Sequence, residues 1–124
     1  MFLSRNSICP IDFNGLRIFD YTAAQSLGSS IAVIDVGPGV RHNEAWSQRS
    51  DKYYLVVAGE VRFVLDGDEH VMTVGDFCVV KQGRRFSYSN ASSAVATLVL
   101  VHTPSFDLGA ERFVSFSVVR VAAG

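Results

Sequence analysis

Residues 52–73 read KYYLVVAGEVRFVLDGDEHVMT. Two extended runs rich in Val, Phe and Tyr flank Asp66-Gly67, and Asp-Gly between such runs is the strongest short hairpin signal. The neighbouring strands, Glu60–Leu65 and Glu69–Thr73, are therefore expected to pair antiparallel. Upstream, Gly59 interrupts the longer extended stretch. A glycine inside such a run marks a bulge or a sharp bend, as where a strand crosses a barrel corner. The whole segment reads as sheet that closes on itself.

Outward from this hairpin the same texture continues. Short runs of Val, Ile, Phe and Tyr recur at roughly eight- to twelve-residue spacing between Gly, Asp, Asn and Ser, the pattern of sandwiches and barrels. The spacing predicts further strands at Leu16–Tyr21, Ser30–Val36, Lys52–Ala58, Asp76–Val80, Phe86–Asn90, Ala94–His102 and Phe113–Val121. Ser105–Glu111, after Pro104, reads as a loop or one helical turn. No helical period competes. With 124 residues the chain suits one domain, 1–124, and 48% apolar residues supply enough surface for one core.

A net charge of −1 lacks the basic footprint of a nucleic-acid binder. No apolar run approaches the ~20 residues that span a bilayer, and Met1–Asp12 lacks a leader-like apolar core, so a soluble, cytoplasmic protein without membrane partners is expected. Cys9 and Cys78 lie far apart and read as two free thiols, Cys78 as a small buried hydrophobe.

The glycines carry a resemblance. In the first cupin motif, G-x5-H-x-H-x4-E-x6-G, the glycine frame is matched without a gap by Gly39 and Gly59. Ala45 and Ser47 stand at the two histidine positions, and Lys52 at the glutamate. The second motif, G-x5-P-x-G-x2-H-x3-N, is matched by Gly75, Gly83 and Asn90, with Lys81 at the proline and Phe86 at the histidine. Lys52–Val61 is similar to the family's E-x-Y-Y-V-L-E-G-E-G strand, and Val101–Asp107 to its V-H-T-P-P-F-D segment. The resemblance covers about 31–107. It implies an all-β double-stranded β-helix, the jelly-roll barrel of the cupins, with the metal-ligand positions substituted. It also implies a homodimer, for which the apolar Phe113–Val121 strand and an outward Trp46 offer surfaces.

On that register the cavity is lined by Ala45, Ser47, Lys52 and Phe86, a set that does not suit a divalent cation. Strand periodicity adds Tyr54 and Tyr88, two residues on from Lys52 and Phe86, and His102 can approach from a strand end. A desolvated Lys52 would have a lowered pKa and could serve as base, Schiff-base nucleophile or anion partner. The more economical reading leaves it solvated at the barrel mouth, as it leaves His102 a surface or structural residue, His70 in solvent, and Arg41, Arg49, Arg84 and Arg85 largely solvated.

Three functions follow. The first is a metal-independent cupin, with no cofactor, that binds a small organic molecule, anionic or aromatic, in its barrel. The second is a small isomerase, cyclase or epimerase acting by proton transfer on a sugar or polyketide-like metabolite. The third is a metal-dependent, dioxygenase-like enzyme with displaced ligands, for which His42 and Glu44, an H-x-E pair on one side of a strand, would join His102.

Overall fold

Asp66 and Gly67 both take positive φ, 49° and 88°, as a two-residue hairpin connection between right-twisted strands requires. The strands they join, Val61–Leu65 and Asp68–Met72, pair antiparallel as expected. The computed structural model describes residues 1–23 and 25–114. In chain order the strands are β1 (Ile11–Phe13), β2 (Leu16–Asp20), β3 (Ser30–Val36), β4 (Arg41–Ser47), β5 (Asp51–Ala58), β6 (Val61–Leu65), β7 (Asp68–Met72), β8 (Phe77–Val80), β9 (Phe86–Ser89), β10 (Ala96–Thr103) and β11 (Glu111–Phe113). They form two antiparallel sheets, β1-β2-β3-β10-β5-β8 and β11-β4-β9-β6-β7, which face each other as the two layers of a double-stranded β-helix.

Alternation on β10 sets the interior. Ala96, Leu98, Leu100 and His102 are buried, while Thr97, Val99 and Val101 between them are only half-buried. Register then builds the inner wall in layers: Leu98 between Ile34 and Val56, Leu100 between Ala32 and Tyr54, His102 between Ser30 and Lys52. The register that stacks the apolar pairs therefore also brings a histidine beside a lysine at one end of the barrel.

Gly59 does what its place in the sequence implies. Its φ is +67°, and the chain passes there from β5 in one sheet to β6 in the other. A Cβ at this position would lie 2.7 Å from the Val95 carbonyl oxygen and 2.8 Å from the Ala96 Cα. Asn90, buried, closes the next corner by donating to the carbonyls of Val36 and Ala94 while accepting from Ser92.

Two strands escape the sequence pattern. β1 is short, and β4, RHNEAWS, is too polar to read as strand. Ser105–Glu111 holds one 3-10 turn, Leu108–Ala110. Of the expected Phe113–Val121 strand only its start is described, within β11; residues 115–124 lie outside the described part. Trp46 faces outward as expected, but it is half-buried, with the Arg85 guanidinium 4.1 Å above its ring. The more exposed apolar surface of the described residues is instead the outer face of the larger sheet, where Leu55, Val57 and Phe77 are 38–58% exposed. Cys78 is half-buried rather than buried.

Candidate functional site

All seven residues expected in the cavity are buried: Ala45, Ser47, Lys52, Tyr54, Phe86, Tyr88 and His102. Their roles divide. Ala45 packs across from Phe86. The Ser47 hydroxyl accepts from the backbone N–H groups of Arg49 and Ser50, which makes it the former of the turn into β5. The other five face one another with two residues that the sequence did not place in the cavity, Glu111 and His42.

Lys52 is not solvated at the mouth. Its Nζ donates to Glu111 Oε1 at 2.7 Å and lies 2.9 Å from His102 Nε2, and its side chain is 4% exposed. A lysine buried among apolar walls needs a counter-charge, because desolvation of an unpaired ammonium costs several kcal/mol. Glu111 supplies it. Burial pulls the Lys52 pKa down, and the Glu111 carboxylate opposes that pull. With two of its three protons directed at Glu111 and His102, Lys52 is poorly placed to act as a Schiff-base nucleophile, and its charge is already cancelled, which removes the reason to expect an anionic partner.

Of the surface and structural roles expected of His102, the structure shows the structural one, a buried ring in hydrogen-bond contact with Lys52. It is buried, rests its ring 5.1 Å from that of Phe106, and is pushed to a pKa of about 3 by desolvation and the adjacent Lys52 charge. Since an ammonium only donates, His102 Nε2 accepts from Lys52 and the ring proton sits on Nδ1.

His42, half-buried, is turned toward the interior by a β-bulge. On β4 it pairs with Tyr88 and Ala45 pairs with Phe86, so two residues of β4, Asn43 and Glu44, oppose the single Ser87 of β9. The extra residue reverses the facing of everything beyond it. His42 and Glu44, which simple alternation puts on one side, are thus separated. The His42 ring packs 5.0 Å from Phe86 and 5.2 Å from Tyr88, whereas Glu44 is exposed and faces Arg85 at 3.7 Å. The displaced metal site built on His42, Glu44 and His102 does not assemble. Among the described residues no three His, Cys, Asp or Glu side chains are grouped to hold a metal ion. The four positions where the cupin motifs place ligands hold a methyl group, a turn-forming hydroxyl, an ammonium and a phenyl ring, a donor set that does not fit a divalent cation.

His42 Nδ1 lies 2.7 Å from the Asn43 carbonyl. A carbonyl only accepts, so Nδ1 carries the proton and Nε2 keeps a lone pair. Desolvation by the surrounding rings lowers its pKa to about 4, with the Lys52 charge adding to the effect. Burial raises the phenol pKa values of Tyr54 and Tyr88. At neutral pH the site thus holds a neutral imidazole base and two protonated phenols. Phe86 lies between the two halves, with Lys52 Nζ 5.4 Å and the His42 ring 5.0 Å from its centroid.

Two buried polar atoms have no hydrogen-bond partner among the described residues, the Tyr88 hydroxyl and Glu111 Oε2. A cavity of about 390 Å³ opens between β2, β3, β10 and the segment after Pro104, lined by Ile18, Ile34, Leu100, His102, Phe106 and Leu108 among others. Of the expected cavity set it touches His102 alone. Its volume falls in the ~300–1,000 Å³ range of small-molecule sites.

The depressed histidines fix a pH dependence. Unfolded His42 and His102 titrate near the ordinary ~6.5, whereas the folded values are about 4 and about 3. Between these limits the unfolded chain binds more protons, so stability is fully present above about pH 6.5 and is lost as pH falls toward 4 and then 3. Urea midpoints measured across this range should fall steadily, and His42→Gln and His102→Gln should each flatten the curve. A wild-type profile without slope would show that the two rings are not held neutral by the fold.

The Streptomyces nucleoside dehydratase Pac13 superposes on 94% of this chain and 92% of its own, with a TM-score of 0.80 and 22% identity. Structures of its variants, one histidine to glutamine and two tyrosine to phenylalanine, contain uridine. A predicted oxalate decarboxylase from Thermotoga maritima matches over 84% of this chain and 99% of its own (TM-score 0.77, 16% identity). A sugar phosphate isomerase of the cupin superfamily from Silicibacter pomeroyi matches over 83% and 75% (TM-score 0.73, 20% identity). No curated protein matches the chain. Residues 32–102, more than half of the sequence, match the family model described as "Cupin domain". Together with a two-sheet barrel whose corner glycines follow the cupin spacing, that match establishes that the chain belongs to the cupin family.

Proposed function

We propose that the barrel binds a small, uncharged, hydroxylated ring compound, with a nucleoside as first candidate, and transfers a proton on it without a divalent metal. The observation that carries this reading is the pair of buried polar atoms without partners, Tyr88 Oη and Glu111 Oε2. Each costs about 1–3 kcal/mol if left unsatisfied, and ligand hydroxyls would satisfy both. Neutrality of the ligand follows from the Lys52–Glu111 pair, which presents no net charge.

Support for the nucleoside comes from Pac13, a nucleoside dehydratase whose variants at a histidine and two tyrosines are seen with uridine. The same residue types, His42, Tyr54 and Tyr88, surround Phe86 here. Removing water from a ring requires a base for a C–H proton and an acid for the departing hydroxyl. Neutral His42 can take the proton through Nε2, and a phenol or the Lys52 ammonium can give one. The metal positions favour this proton chemistry over metal-assisted chemistry because the methyl, hydroxyl, ammonium and phenyl groups of Ala45, Ser47, Lys52 and Phe86 do not make a ligand set for a dication.

Uridine is the first probe. Its binding should raise the melting temperature with concentration, by about 2.7 kcal/mol of added stability at a hundredfold excess over Kd, and His42→Gln should abolish turnover of a nucleoside substrate while leaving binding. No shift with uridine or other nucleosides would reject the nucleoside reading. One equivalent of a transition metal in protein purified without chelator would overturn the metal-free half. Binding without turnover would reduce the function to ligand capture.

A further inference from the structure

We infer that Lys52 and Glu111 together form a subsite for a single ligand hydroxyl, with Lys52 Nζ donating to its oxygen and Glu111 Oε2 accepting its hydrogen. The inference rests on the reading of the barrel as a site for a hydroxylated compound, and it names two residues that would recognise one particular group of it.

Counting donors and acceptors leads there. An ammonium has three N–H donors and a carboxylate about four acceptor positions. Lys52 uses two donors, on Glu111 Oε1 and His102 Nε2, which leaves one. Glu111 uses Oε1, and Oε2 is buried without a partner among the described residues. A pair kept only to hold strands together would be saturated, since an open position inside a fold weakens it. Here one donor of Lys52 and one acceptor of Glu111 are left unused within the same ion pair among the described residues.

The chemistry of the vacant positions selects the group. An anion would be repelled by Oε2 and a cation by Nζ. An ether or carbonyl oxygen accepts but cannot donate, and would leave Oε2 orphaned. A hydroxyl does both through one atom. The environment sharpens the preference, because both side chains are 4% exposed and little water competes.

The chain also builds this position rigidly. Glu111 follows the 3-10 turn Leu108–Ala110, which Asp107 caps by accepting from the Gly109 N–H. Arg112 locks the turn by donating to the carbonyls of Gly109 and Glu111. The Gln48 N–H donates to the Ala110 carbonyl, and β11 pairs with β4 so that Glu111 lies opposite Ser47. The residue thus comes from beyond the family match, which ends at 102.

Two measurements test the subsite. In a high-resolution crystal structure of the ligand-free protein, an ordered water should lie within hydrogen-bond distance of both Lys52 Nζ and Glu111 Oε2; an Oε2 bonded to a protein donor would overturn the inference. By calorimetry, uridine and its 2′-, 3′- and 5′-deoxy analogues are compared on wild type and Glu111→Gln. One analogue should bind wild type at least about tenfold more weakly than uridine. Glu111→Gln should lose a similar factor for uridine and nothing further for that analogue. Equal losses for all four compounds would mean that Glu111 only supports the fold, and would overturn the inference. If uridine does not bind at all, the nucleoside reading fails while the crystallographic result still decides the subsite.

Discussion

Replacing Glu111 with alanine is expected to cost about 3–5 kcal/mol of stability, because it strips the counter-charge from an ammonium buried in the barrel. In a domain of this size that is a drop on the order of 10 °C in Tm. Among the described residues, Lys52 would be left with neutral His102 as its only hydrogen-bond partner. Its pKa, already pulled down by burial, would fall further once the opposing carboxylate is gone. The unfolded lysine keeps a pKa near ~10.4, so below that value the unfolded variant binds more protons than the folded one. The defect should therefore deepen as pH is lowered and shrink toward alkaline pH. Adding Lys52→Met should restore most of the loss, since a thioether of similar length needs no partner. Urea denaturation of wild type, single and double variants checks this. A double variant as unstable as Glu111→Ala would show that the loss comes from β11 packing and not from a stranded charge.

Gly59→Ala should be the most damaging of the glycine substitutions, at roughly 3 kcal/mol or more. Two penalties coincide there. The φ of +67° disfavours any side chain, and the new methyl would meet backbone, the Val95 carbonyl oxygen at 2.7 Å and the Ala96 Cα at 2.8 Å, which cannot swing aside. Gly67 separates the two contributions. Its φ is +88°, but nothing lies within 4 Å of the point a methyl group would occupy, so Gly67→Ala should lose only about 1 kcal/mol. Equal urea-midpoint losses at the two sites would mean that backbone conformation alone governs, and that β5 and β10 can separate at the corner without cost.

These glycines explain why the fold was legible while the site was only half so. Gly39, Gly59, Gly75 and Gly83, the glycines of the cupin frame, all have positive φ. They specify where the chain turns, so their spacing persists when the side chains between them change. Period-two alternation likewise carried Lys52 to Tyr54 and Phe86 to Tyr88 on the inner face, because β5 and β9 run regularly there. His42 was misread for the opposite reason. A bulge inverts parity, and nothing in Arg-His-Asn-Glu-Ala announces an extra residue. Glu111 belonged to a segment without strand texture, yet an indirect signal existed, since a lysine at an inward position demands an acid and few acids remain beyond β10. The inward facing of His102 follows from the same alternation along β10, but its long-range partnership with Lys52 is encoded by no local pattern.

Trp46 is the only tryptophan in the chain, and the bulged strand sets it directly opposite Arg112, the residue after Glu111, with Arg85 lying over its ring. The indole thereby sits beside two guanidinium-bearing elements on the outside of the same wall whose inside carries Glu111, one half of the buried ion pair. A cation over an aromatic face perturbs its electronic environment. The molecule consequently carries an intrinsic optical reporter paired across the sheet with the neighbour of its polar centre, and the seating of the last described strand can be followed by emission from a single, unambiguous fluorophore without labelling.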